Sequence, residues 1–206
     1  MKEILIGLAF ASLWASASVA TKFGLRTGEP FVLTNVRFVL AAALMLFWAH
    51  GFRRHPLPEK KDWKPLLIYG MLNCSIYLGA FSFAMRYCNA GIGTLSVGIN
   101  PLLISVLSAI FLKRKINPAV WVGLLFGIAG VAVATWPSLQ NSSTTPLGIL
   151  LLSFSMLSYS TGTLFFSAQK WTLDRITING WQIFFGAITL LPVTLLFSNW
   201  ERQHFD

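Results

Sequence analysis

Charge is scarce in this chain. Asp, Glu, Lys and Arg together make up 11% of its 206 residues, where a soluble domain carries about 25%. Acids are scarcest: Glu3, Glu29, Glu59, Asp62, Asp174, Glu201 and Asp206 all fall in expected loops or ends. No carboxylate inside an apolar run is therefore available as a proton relay. Cysteine is nearly absent. Cys74 and Cys88 fall in one expected helix, about 21 Å apart along its axis, which excludes an intrachain disulfide. No Cys/His spacing resembles a metal site, and HExxH, GxSxG and a Ser/His pair are missing. No enzyme activity, metal or cofactor is expected.

Apolar residues dominate, at 55% of the chain with a mean hydropathy of +0.64. The expected class is all-α integral membrane, with the lipid bilayer as the first partner. The net charge of +9 would suggest nucleic acid in a soluble protein. Here the cations sit in short loops between apolar spans, so no nucleic-acid partner is expected.

About seven transmembrane helices follow from the apolar runs. The first covers 4–21 and is built of small residues, Ala9, Ser12, Ala15 and Ser16 among them. A cleaved signal peptide is the rival reading of this run. The second needs Phe31–Ala49, because the uncharged part from 38 to 49 is too short to cross. Arg37 must then lie inside the span or near its edge. It is a candidate buried charge and site residue, or an arginine that snorkels to the outer interface. A basic loop follows, with Arg53, Arg54, Lys60, Lys61 and Lys64, broken by Pro56 and Pro58. The third span is 65–85.

The fourth span, within Asn89–Lys115, is slim and slightly polar, with Gly91, Gly93, Thr94, Ser96 and Gly98. Such composition suits a helix packed against other helices. Asn100-Pro101 falls at its middle, where proline frees a carbonyl that a neighbour or a water-filled cavity must satisfy. The fifth and sixth spans, roughly 119–136 and 147–169, flank the polar run 137–146. The fifth holds Gly123 and Gly127, a GxxxG pair compatible with close helix contact and with a homodimer. Asn141-Ser142-Ser143 fits a glycosylation acceptor. The seventh span is about 177–197. It has no lysine that could hold retinal, which weighs against a seven-helix light sensor or receptor.

Orientation follows from the basic residues. With the N-terminus inside, Lys2, Arg53, Arg54, Lys60, Lys61, Lys64, Lys113, Arg114, Lys115, Lys170 and Arg175 are cytoplasmic. Only Lys22, Arg26, Arg86 and Arg202 are outside, so a cytoplasmic N-terminus is expected. A shift of the chain on itself pairs Trp14 with Tyr159, Ser18 with Thr163, Thr34 with Asn179, Arg37 with Gln182 and Ala42 with Ala187. Spans one and two thus correspond to six and seven. Five spans separate each pair, so the copies have opposite orientation, as in the inverted repeats of secondary transporters.

Leu13-Trp14-Ala15 with Lys22, Val36-Arg37-Phe38 with Ala41-Ala42, and Ala84-Met85-Arg86-Tyr87 stand in order along the chain. Ala90-Gly91, Asn100-Pro101, Gly123 with Gly130-Val131, Ser158-Tyr159-Ser160, and Gln182 with Leu191-Pro192 complete the series. In order and spacing the chain resembles the drug/metabolite transporter superfamily, specifically its ten-helix EamA-type members. The resemblance implies a first repeat over 1–136, a polar loop at 137–146 and an incomplete second repeat over 147–206. It implies a secondary transporter of the plasma (inner) membrane, an exporter of small organic solutes such as amino acids, metabolites or drugs. Two departures stand out. Arg114 occupies the place of a glutamate common at the cytoplasmic end of helix four, and helices eight to ten of the family pattern are not in the chain. A truncated product that needs a partner chain to complete the cavity is the alternative expectation.

The residues expected to contact substrate are Trp14, Asn73, Tyr77, Asn100, Tyr159 and Thr161. An aromatic can stack on or wall in a solute, and an amide can orient it by hydrogen bonds. Each has a structural alternative: Trp14 as interface anchor or core filler, Asn73 and Asn100 as partners of a neighbouring helix.

Overall fold

The computed structural model describes residues 2–26, 28–113, 118–141 and 143–199. Seven helical stretches run through them: α1 (Lys2–Gly24), α2 (Pro30–Phe52), α3 (Lys60–Ala84), α4 (Ala90–Leu112), α5 (Pro118–Gln140), α6 (Pro146–Ala168) and α7 (Arg175–Phe197). Six are long and apolar enough to cross a membrane, and α5 adds a shorter apolar stretch, Pro118–Ala134. The fold is an all-α membrane bundle. Large apolar side chains such as Leu13, Leu44, Phe126 and Leu196 point outward, as a lipid solvent permits.

Most starts are set by local chemistry. Asn89 accepts from the Ile92 amide, Thr145 from Gly148 and Asp174 from Ile176, each meeting an N-terminal donor left over by its helix. Helix α3 begins at Lys60, a turn earlier than the apolar run suggests, because Glu59 and Asp62 form a reciprocal capping box. In the other direction, α5 continues through Pro137 to Gln140, into the stretch read as the polar loop.

Two helices depart from α geometry within the span. Met71–Ile76 of α3 and Phe47–Phe52 of α2 are π-helical. Helix α4 is interrupted at Gly98–Ile99, immediately before Asn100-Pro101. Proline offers no N–H, so the backbone tightens there, with Gly98 N bonding Leu95 O and Ile99 N bonding Ser96 O. A two-residue interruption thus stands beside Asn100-Pro101, where a freed carbonyl was expected.

Helix α3 is the centre of the bundle. Half of its apolar window is buried (50%), against 6% for α1. It packs on α6, α7 and α2, while α1 touches mainly the first half of α4. Contact with α7 is made through paired glycines. A Cβ on Gly70 would meet the Gln182 carbonyl oxygen and Phe185, and one on Gly186 would collide with Cys74. Gly123 and Gly127 of α5 face Leu102 of α4, so the GxxxG pair is used within the chain. Cys88 lies beyond the end of α3 rather than within it, and both thiols are free and buried.

The offset that pairs Trp14 with Tyr159 also carries Pro30 onto Arg175 and Phe52 onto Phe197, the first and last residues of α2 and α7. These two helices pack together antiparallel. Asn35, early in α2, donates to Ala187 O (3.2 Å) and to Thr194 Oγ1 (3.3 Å), late in α7. At the other end Trp181 Nε1 donates to His50 Nε2 (3.0 Å), and Gly180 lies against Met45 and Leu46. That acceptance leaves the His50 proton on Nδ1, which donates to His55 O (2.9 Å).

The glycine contacts give a direct test. Gly186→Val is expected to destabilise the detergent-purified protein by about 1–3 kcal/mol or more through overpacking, seen as a lower melting temperature. Gly7→Ala, with nothing within 4 Å of the new methyl group, is expected to leave it unchanged.

Candidate functional site

The π-helical turn of α3 carries Asn73 and Cys74 into the middle of the bundle. From α6, Ser158 Oγ donates to Leu72 O (2.7 Å), which also accepts from Tyr77 N, and Ser155 Oγ donates to Tyr77 O (2.9 Å). These bonds set α6 against α3 and bring two aromatic rings together. Tyr77, only 3% exposed, lies with its ring centroid 4.8 Å from that of Tyr159. Asn73 Nδ2 donates to the Tyr69 hydroxyl (3.3 Å), while its Oδ1 is buried with no hydrogen-bond partner. On the α7 side, Gln182 Oε1 is likewise buried without a hydrogen-bond partner.

Three of the six expected contact residues, Asn73, Tyr77 and Tyr159, therefore come together at the α3–α6 interface. Asn100 lies at the break in α4, 4% exposed, with neither amide atom hydrogen-bonded. Buried polar groups are nearly always paired, so this amide is as unusual as those of Asn73 and Gln182. Thr161 is not part of the cluster in the same way, since its hydroxyl is spent on Leu157 O of its own helix (2.8 Å). The Trp14 side chain lies outside the described residues, as do Arg114 and Ser142.

Arg37 stands inside the second span as expected, but the chain does not bury it. Its side chain is exposed and lines a cavity of about 270 Å³ with Thr21, Gly24, Thr34 and Ser82. The cause is α1, whose sparse packing leaves this side of α2 open. No carboxylate pairs with the guanidinium among the described residues. A second, apolar cavity of about 310 Å³ lies between α4, α5 and α6, lined by Ser96, Ile99, Leu103, Val131 and Met156 among others.

Sequence reasoning missed Tyr69, Ser160 and Gln182 as members of this polar interior. Ser160 is fully buried with an unpaired hydroxyl. Gln182 carried a signal, because the internal repeat pairs it with Arg37. Tyr69 carried none, since nothing in its spacing distinguishes it from a core aromatic. The α3–α6 interface thus offers aromatic faces and an unpaired amide oxygen, with further unpaired amide atoms on α4 and α7, and Arg37 lines a separate cavity between α1 and α2.

Residues 1–136 match the model of the EamA-like transporter family. Among curated proteins, an uncharacterized transporter of Synechocystis is 25% identical, covering 94% of this chain and 63% of its own length. The uncharacterized transporter YoaV of Bacillus subtilis is 24% identical over 96% of this chain and 68% of its own. A WAT1-related chloroplastic protein of Arabidopsis thaliana is 25% identical over 89% of this chain and 45% of its own. The chain thus spans between about half and two thirds of the length of these relatives. With a family match across most of its helices and an all-α membrane fold, this chain is an integral membrane protein that belongs to the EamA-like transporter family.

Proposed function

We propose that the chain lines the solute pathway of a secondary transporter that moves small organic solutes by alternating access. The observation that carries this reading is the set of buried, unpaired polar groups in an apolar bundle: Asn73 Oδ1, both amide atoms of Asn100, and Gln182 Oε1. Leaving such groups unpaired costs about 1–3 kcal/mol each, a cost that a solute with matching donors and acceptors would offset. Alternating access is supported by the antiparallel pairing of α2 with α7, the arrangement expected of an inverted repeat. In this reading 1–136 is the first repeat, 137–146 the connection, and 147–206 the part of the second repeat present here. Export as the direction rests on the family likeness. A cytoplasmic N-terminus in the plasma membrane rests on the bias of the basic residues.

Arg37 narrows the cargo. A guanidinium at membrane depth without a carboxylate partner is matched by an oxyanion. Cargo bearing a carboxylate, amino acids included, fits better than an organic cation. A second reading is favoured by the open sides of α1 and α5, most of whose described residues are exposed: the cavity wall is completed by further helices or by a second copy, and the chain alone does not transport.

Overexpression in a bacterial host, with mass spectrometry of the medium, tests the proposal. One or a few small carboxylates are expected to accumulate outside, and Arg37→Gln to reduce the efflux by about tenfold or more, equivalent to about 1.4 kcal/mol. Arg37→Lys is expected to retain part of it. A medium indistinguishable from that of the empty vector would contradict transport by this chain alone, and accumulation of cations would contradict the role of Arg37.

Asn100 separates function from stability. Asn100→Leu is expected to abolish efflux while leaving the melting temperature unchanged or higher, because it removes an unpaired amide whose burial costs about 1–3 kcal/mol. A marked loss of stability would instead show that the amide holds the fold together.

A further inference from the structure

Three connections meet at one end of the bundle. Glu29, the residue that precedes α2, is buried (1% exposed) and pairs with Arg86 just beyond α3, at 2.6 Å. Lys22, in the last turn of α1, donates its ammonium to Met85 O. The backbone then ties in the third connection: Thr145 N donates to Tyr87 O (2.8 Å), and Asn89 N to Thr144 Oγ1 (3.3 Å). Beneath this knot Met85 and Cys88 are fully enclosed, with Gly148 of α6 packed directly on the Cys88 sulfur. In the orientation set by the basic residues this is the outer end.

The knot is unusual in how it is made. Its link between the α1–α2 and α3–α4 connections is a charge pair on a carboxylate that is almost wholly desolvated and has one oxygen, Oε1, without a partner. Arg86 keeps part of its side chain exposed, but taking the Glu29 carboxylate out of water is expensive, and a packed apolar contact of the same size would hold more firmly. Charges do have one advantage over an apolar contact, in that each partner is well solvated once they part. An end built this way closes tightly yet separates into hydrated ends.

We infer that Glu29 and Arg86 form the outer gate of the transport cycle, closed in this structure, whose parting opens the bundle at the α1–α2, α3–α4 and α5–α6 connections. This rests on the transporter reading above, but it is tested without any cargo. Cys88 is the natural reporter, since it lies under the gate, and Cys74, buried beside Gly186 in the bundle centre, is the control. Burial pushes the Cys88 thiol above its ordinary range, partly opposed by the Lys22 charge, so all labelling is compared at one pH.

The experiment is labelling of the purified full chain in lipid nanodiscs, both faces accessible, with a membrane-impermeant maleimide, read per cysteine by peptide mass spectrometry. Wild type is expected to label slowly at Cys88 and not at Cys74. Glu29→Gln and Arg86→Gln are each expected to speed Cys88 labelling by about tenfold or more as local opening becomes easier, with Cys74 still silent. Arg86→Lys, which keeps the charge pair, is expected to stay near wild type. Wild-type rates in both glutamine variants would overturn the gate. So would labelling of Cys74 together with Cys88, because the pair would then be holding the whole fold rather than one end. Either result leaves the cargo proposal untouched, and a cargo other than carboxylates leaves the gate untouched.

Discussion

A backbone carbonyl at membrane depth has no water to bond, so its donor comes from its own helix or from a neighbouring one. In this chain a neighbour supplies donors to α3 at its π-helical turn and just beyond it. Ser158 and Ser155 of α6 donate to Leu72 O and Tyr77 O, and those two bonds fix how α6 lies on α3. Tyr159 is thereby set against Tyr77, and Asn73 is turned into the bundle with its amide oxygen unpaired. The polar interior thus lies beside the bonds that hold the two helices together, at a π-helical turn, a feature that recurs at functional sites.

Close approach supplies the rest. Gly70 and Gly186 let α3 and α7 touch backbone to backbone, and α7 in turn pairs antiparallel with α2 through Asn35, Ala187 and Thr194. In lipid no hydrophobic force drives helices together, so such small-residue contacts and interhelical hydrogen bonds carry the association. Helix α1 makes few of either, and its weak packing is what leaves Arg37 lining an open cavity. A bundle with one tightly held helix and one loosely held neighbour has parts that can move relative to one another.

Much of this was legible in the residues. Apolar run lengths located the spans, and Asn100-Pro101 located the break in α4, because the missing proline N–H acts locally whatever surrounds it. The offset that aligned Trp14 with Tyr159 found the matching bounds of α2 and α7. Asn73, Tyr77 and Tyr159 were legible as polar or aromatic residues near the centres of spans, and they do meet. Other features were not legible because they depend on partners far away in sequence. Nothing in Met71–Ile76 announces a π turn, or that serines of α6 bond beside it. Glu29 read only as a carboxylate in a loop, whereas Arg86 reaches it and it is buried. Arg37 read as either a candidate buried charge or an arginine that snorkels to the interface, and its exposure depends on how loosely α1 packs. Gly123 and Gly127 left open which helix they would face, and only the fold supplies Leu102 as the answer.

The account turns on whether the unpaired amides face a pathway that water and solute can enter. The most direct measurement is substituted-cysteine accessibility at position 100, using a small water-soluble thiol reagent on the full chain in membranes. The account predicts that Asn100→Cys reacts while Phe81→Cys, packed in the apolar cluster with Tyr77 and Met85, stays silent. No reaction at position 100 from either face would contradict it, since the amides would then lie in a sealed core with no route for a solute.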